Sequence, residues 1–127
     1  MREFIEDCLR TESSYFQALT DKDANVYDGN RLIHAAFGMQ TESAEFTDAL
    51  KKSLFYGKEL DVVNLKEEIG DMLWYMAIAL DELGSDFDSE MARVVNKLKQ
   101  RYPEKFTQKN AVVRDLGKER KILEDMK

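Results

Sequence analysis

Proline and glycine are scarce in this sequence. Its 127 residues include one proline, Pro103, and six glycines, so little interrupts a helix, and long helices are favoured. Cysteine is scarcer: Cys8 stands alone, which excludes an intrachain disulfide and makes a reducing, cytoplasmic setting the expectation. No stretch approaches the 18 or so apolar residues of a membrane span; the longest, around Met72 to Leu80, runs directly into Asp81. The N-terminal MREFIEDCLR mixes charges and does not read as a signal peptide. Positive charge is also in deficit, with 19 Lys and Arg against 25 Asp and Glu and a net charge of −6. That argues against a DNA or RNA duplex as partner. It leaves open a nucleotide whose charge is met by a metal ion.

What is present is helical periodicity. Apolar residues are 43 % of the chain and charged residues 35 %, a globular balance with mixed-charge surfaces. One domain over residues 1–127 is expected, with a core at about 3–106 and a charged tail at 107–127. Phe4, Ile5, Cys8, Leu9, Tyr15, Phe16 and Leu19 predict a first amphipathic helix over Glu3–Leu19. The Asp-, Asn- and Gly-rich run Thr20–Asn30 reads as a loop. A second helix is predicted over Arg31–Tyr56, with Gly57 as its C-cap. A third follows from the N-cap Asp61 over Val62–Leu83 and closes at Gly84. This third helix is apolar nearly all round, so it belongs at a bundle centre or in an oligomer interface. A fourth runs from Asp86 or Asp88 to about Arg101, just before Pro103. The tail Ala111–Lys127 has the pattern of a short helix. No alternating β-stretch competes, so the fold class is all-α.

The chemistry is concentrated in carboxylates. Glu42 and Glu45 are three residues apart, as are Glu68 and Asp71, so each pair shares a helix face. Only Gly57 to Asp61 separates the two helices, which predicts an antiparallel hairpin with the four acids at comparable heights. Four crowded like charges repel unless a cation intervenes, and oxygen-only ligands suit Mg²⁺, with Mn²⁺ as a substitute. Acids at this spacing are equally common on any solvated helix face, and spacing does not choose between the two. Gly70 costs a helix interior about 1 kcal/mol, which a closely approaching ligand or helix would explain. A di-iron carboxylate bundle needs Glu-x-x-His pairs. The single histidine, His34, is preceded three residues earlier by Arg31. An EF-hand beginning at Asp21 fails too, with Val26 at the loop's sixth position and Leu32 at its twelfth.

The wider words carry more. Glu42-x-x-Glu45, 22 residues, then Glu68-x-x-Asp71 sit within HAAFGMQTESAEFTDALKKSLFYGKELD and NLKEEIGDMLWYMAIAL, and VNKLKQRYPEKF follows. Over about Arg31 to Phe106 the chain resembles the MazG-like all-α nucleoside triphosphate pyrophosphohydrolases, most of all their short single-domain bacterial and phage members. The resemblance implies a four-helix core assembled as a homodimer or homotetramer. It implies Mg²⁺ held by Glu42, Glu45, Glu68 and Asp71, and cleavage between the α- and β-phosphates to a monophosphate and pyrophosphate. Glu45, then Glu42, is the candidate for orienting or deprotonating the attacking water. A purine deoxynucleotide such as dGTP is one substrate that the phage-type likeness suggests.

Other side chains have both a binding and a plain reading. Tyr75 lies four residues after Asp71 and either touches a phosphate or packs in the core. Lys97 and Arg101, spaced i, i+4, either hold phosphates or form a solvated basic face; Asn96 beside them either meets sugar or base or is surface. Lys51 is a candidate for attracting the triphosphate, whereas Lys52 reads as an ordinary exposed lysine. His34 reads as a packing or capping residue more readily than a catalytic one, and Trp74 as core or interface. Base recognition is expected from the first helix and the loop through Tyr27 and Asn30. Two rival functions stay open: a phosphoribosyl-ATP pyrophosphohydrolase-like hydrolase using the same acids, and a non-catalytic helical oligomerisation module.

Overall fold

The computed structural model describes residues 2–13 and 15–125. Six helices and one small antiparallel ladder follow in chain order: α1 (Arg2–Leu9), β1 (Leu19–Thr20), β2 (Val26–Tyr27), α2 (Gly29–Tyr56), α3 (Val62–Glu82), α4 (Phe87–Arg101), α5 (Gln108–Val112) and α6 (Leu116–Asp125). The all-α expectation holds. No described helix is long and apolar enough to cross a membrane.

The helix ends follow from local chemistry. Asp28 caps α2 by accepting the Asn30 N–H at 2.8 Å, two residues earlier than the sequence pattern suggests. Gly57 closes α2 in the left-handed conformation, φ 66°, with its N–H on the Lys52 carbonyl, the C-cap expected there. Asp61 accepts the N–H groups of Val63 and Asn64, both at 3.0 Å, and starts α3. Gly84, φ 65°, turns the chain after α3. Asp86 caps α4 through the Ser89 N–H at 2.8 Å.

Two expectations are corrected. The first helix ends at Leu9 rather than Leu19. Thr11 turns back, its hydroxyl donating to the Cys8 carbonyl at 3.0 Å, and Thr and Ser compete with helix through such local bonds. Beyond it Tyr15 and Phe16 are exposed, so no packed face rewards continuing the helix. The segment Thr20–Asn30 is not featureless loop: Leu19 pairs with Tyr27 and Thr20 with Val26. Its turn is organised by Asp21. That carboxylate accepts from the Asp23 and Asn25 N–H groups, from Asn25 Nδ2 at 2.9 Å and from the Tyr27 hydroxyl at 2.9 Å. These donors hold Asp21 down to a pKa of about 2. The tail forms two helices, α5 and α6, rather than one; Met126 and Lys127, within the predicted helical tail, lie outside the described residues.

Two extensive helix pairings organise the chain, α2 with α3 and α4 with α6. The α2–α3 hairpin is closed at its open end by Arg31, which pairs with Asp81 and, at 2.7 Å, with Glu82. Glu82 also accepts the Asp28 N–H at 2.6 Å. The α4–α6 pair is pinned by Glu119, buried between the guanidinium groups of Arg101 and Arg114. Arg93 of α4 adds a bond to the Leu123 carbonyl at 2.7 Å.

Little apolar surface is covered within one chain. Among the described residues Ala35 is the only apolar side chain that is fully buried, and Phe37, Trp74, Leu54 and Phe55 are all exposed. The chain exposes 10781 Å², whereas a compact monomer of 14.8 kDa exposes about 7,000 Å². The apolar third helix is therefore not the centre of a closed single-chain core.

Candidate metal centre

The α2–α3 hairpin brings together three of the four acids that the spacing put at one height. Carboxylate oxygens of Glu42, Glu68 and Asp71 lie within 4.8 Å of one another. Ligand oxygens sit 2.0–2.1 Å from Mg²⁺, which puts neighbouring ligands about 3 Å and opposite ligands about 4 Å apart, so the three oxygens draw together to share one small hard cation. The donor set, all carboxylate oxygen, fits Mg²⁺ or Mn²⁺ and fits poorly with soft-ligand metals.

The three acids differ in setting. Glu68 is 4 % exposed, Glu42 is half-buried and Asp71 faces solvent. Burial holds the Glu42 carboxyl above the usual glutamate range; the Thr41 hydroxyl, 3.3 Å from its Oε1, pulls the other way, and the charges of Glu45, Asp71 and Glu68 push it up again. Crowded carboxylates of this kind favour either a proton or a metal ion.

Glu45 stands apart from the convergent three. With Glu68 it lines a cavity of about 200 Å³ at the turn end of the hairpin, together with Asp48, Ala49, Lys52, Lys58, Glu59, Asp61 and Asn64. Its charge still reaches Glu42.

The remaining candidates divide by location. Tyr75 is half-buried and its ring packs directly on Gly38, in the space that a β-carbon there would need. His34 meets the same ring edge-on, centroids 5.6 Å apart. Both therefore serve the helix contact beside the acids. Gly70, the expected place of close approach, faces open space, with nothing within 4 Å of where a β-carbon would stand; Gly38 is that place instead. Lys51 and Lys52 both pair with Asp48 at 2.6 Å. Lys52 faces the cavity beside Glu45, while Lys51 lines a shallow depression with Gln40 and Thr47, the reverse of their predicted ranking. Arg101 is held by Glu119, its Nε 2.8 Å from Oε1, so its charge is already answered by the tail. Lys97 is half-buried and Asn96 exposed on α4.

Sequence reasoning missed Gly38, Thr41 and Asn64. The signal for Asn64 was its place four residues before Glu68, where side chains meet on a helix; its amide donates to Glu68 Oε1 at 2.6 Å.

Comparison with protein families settles what this hairpin belongs to. The family description "MazG nucleotide pyrophosphohydrolase domain" matches residues 36–106, more than half of the chain. The chain belongs to the MazG family. The match takes in all four acids, Tyr75, Lys97 and Arg101, and leaves out α1, the β-ladder, His34 and the α5–α6 tail. No curated protein and no solved structure matched the chain. As a MazG-family protein it is a nucleotide pyrophosphohydrolase of metal-dependent type.

Proposed function

We propose that this MazG-family protein hydrolyses nucleoside or deoxynucleoside triphosphates between the α- and β-phosphates, releasing a monophosphate and pyrophosphate, with Mg²⁺ as its metal. The observation that carries the reading is the convergence of Glu42, Glu68 and Asp71 on one hairpin with Glu45 beside them. Glu42, Glu68 and Asp71 are the residues to hold the cation. When bound, it supplies positive charge against the triphosphate and the leaving pyrophosphate. Glu45, outside that triad and bordering the cavity, is the group to orient or deprotonate the water that attacks the α-phosphorus. Lys52 and Lys58 at the cavity wall offer cationic contacts to phosphate oxygens.

The same reading includes a homo-oligomer. A cavity of about 200 Å³ falls short of the roughly 300–1,000 Å³ of small-molecule sites, so the nucleoside needs walls from elsewhere. The chain's surface exceeds that of a compact monomer by roughly 3,800 Å², which fits an obligate interface of the large class. A second copy of the chain covering the α2 and α3 faces that carry Phe37 and Trp74 meets both needs.

Incubation of pure protein with a panel of NTPs and dNTPs and Mg²⁺, with products resolved by chromatography, tests the reaction. Pyrophosphate with monophosphate is expected, and the ranking of dGTP, dATP, dCTP and dUTP by kcat/KM gives the preferred base. Orthophosphate as the product overturns α–β cleavage.

A further inference from the structure

We propose that Asn64 is a positioning residue that sets the metal-binding orientation of Glu68. Glu68 is the most buried of the four acids, 4 % exposed. Its Oε1 accepts the Asn64 amide Nδ2–H at 2.6 Å. Asn64 is itself fixed from below, because its backbone N–H donates to Asp61 Oδ1 at 3.0 Å. The α3 N-cap is thus linked through Asn64 to a carboxylate of the convergent triad.

The chemistry of the carboxylate gives this link its purpose. The last torsion of a glutamate is broad, so an unsupported carboxylate swivels. A donor on one oxygen fixes the plane and leaves the other oxygen for a cation. An amide suits the position: it is neutral, so it neither repels the metal as a lysine does nor adds to the crowding of Glu42, Glu45 and Asp71 as an acid does. Outer partners of metal ligands change metal affinity by about 10–100-fold when removed. Asn64 also borders the same cavity as Glu45, so a Glu68 that swings free disturbs the side of the site where the water is activated.

The inference deepens the pyrophosphohydrolase reading and rests on it for the task of the metal, though not for the binding itself. The experiment is a Mn²⁺ titration followed by electron paramagnetic resonance on the full chain, for the parent, Asn64→Leu and Asn64→Ala, with a circular-dichroism melt of each. Leu keeps much of the volume and removes the donor; Ala removes both. The expected result is a Kd for Mn²⁺ about 10–100-fold weaker in both. The Mg²⁺ concentration for half-maximal rate should rise while kcat at saturating Mg²⁺ recovers most of the parent value, a pattern that mere loosening of the helix does not give. Mn²⁺ binding within threefold of the parent in a folded variant overturns the proposal, as does a parent that binds no Mn²⁺ at millimolar concentration. A parent that binds Mn²⁺ with the expected losses in the variants, but cleaves no triphosphate, leaves Asn64 in its role and overturns the hydrolase reading alone.

Discussion

The ring of Tyr75 on α3 fills the place where Gly38 of α2 would carry a side chain, with Cδ1 the atom nearest to the β-carbon position. This contact sits one turn from Glu42 on α2 and one turn from Asp71 on α3, so it sets the helix separation at which the acids converge. The Thr41 hydroxyl donates to the Gly38 carbonyl at 2.9 Å and ties the same turn to Glu42.

Gly38→Ala should therefore destabilise the protein by about 1–3 kcal/mol, the usual range for overpacking, and weaken Mn²⁺ binding by spreading the hairpin. Gly70→Ala is the control. Nothing lies within 4 Å of its β-carbon position, so replacing a helical glycine should stabilise by about 0.5–1 kcal/mol. Urea denaturation of both variants checks the opposite signs. A loss at Gly70 would instead locate a partner helix there.

Glu45 and the convergent acids should separate by experiment. Glu68→Gln and Asp71→Asn each remove a negative ligand and should lower metal affinity by more than the roughly 10–100-fold typical of an outer partner. Glu45→Gln should leave Mn²⁺ binding within a few-fold of the parent while lowering kcat by about 10²–10⁴, the range for loss of a general base. Equal losses of metal binding in all three variants would make Glu45 a ligand like the rest.

The acid hairpin was legible in the sequence because its signals are local. Spacing of three between Glu68 and Asp71, Gly57 at the turn and Asp61 as cap all act within a few residues, and each stands where the pattern puts it, whereas Glu45, expected beside them, lies outside the triad. The misread elements depend on distant partners or on competing local bonds. Tyr15 and Phe16 continue the apolar rhythm of α1, but nothing covers them, and the Thr11 hydroxyl ends the helix first. Lys51 and Lys52 look alike in sequence; only the pitch of α2 decides that Lys52 meets the cavity. Arg101 carries no local sign that Glu119, eighteen residues on, neutralises it. Gly38 and Gly70 differ only in what faces them across the hairpin.

Metal binding should compete with protons. Burial, opposed in part by Thr41, and the neighbouring charges of Glu45, Asp71 and Glu68 hold the Glu42 carboxyl above the ordinary glutamate value of 4.5. Without metal it keeps its proton to higher pH than a free glutamate, so a cation binding there must displace that proton. Affinity for Mg²⁺ should fall as the pH drops toward the raised value. Calorimetric titration at mildly acidic pH should give an apparent enthalpy that varies with the ionisation enthalpy of the buffer. Identical enthalpies across buffers would mean that no proton leaves.

The tail has its own pH dependence. Hydrogen bonds from Arg101 and Arg114 hold Glu119 down to a pKa of about 2, below its ordinary 4.5. A depressed folded value means that the pairing stabilises the fold fully above the unfolded pKa and is lost as pH falls from about 4.5 toward 2. Amide exchange in α6, expressed relative to the intrinsic rate at each pH, should accelerate across that window in the parent. In Glu119→Gln it should already be fast at neutral pH and change less with acid, while exchange in the α2–α3 hairpin stays slow in both. Slow α6 exchange in the variant at neutral pH would show that Arg93 and apolar contacts suffice to hold the tail.

The exposed apolar faces lead to a test of assembly. Trp74 is 72 % exposed and Phe37 69 % exposed, and they lie on the two helices that carry the acids. Apolar area of this extent is unfavourable to leave in water at about 25 cal/mol per Å², so a second copy covering it gains on the scale of an obligate interface. Light scattering of the parent should give a mass of at least twice 14.8 kDa down to micromolar protein. Trp74→Glu should shift the mass toward the monomer and lower thermal stability, because the monomer has so little core of its own. Activity should fall with the mass, because the proposed partner walls around the nucleoside are lost. A monomeric parent with full activity would overturn the assembly and require the nucleotide to be held by one hairpin alone.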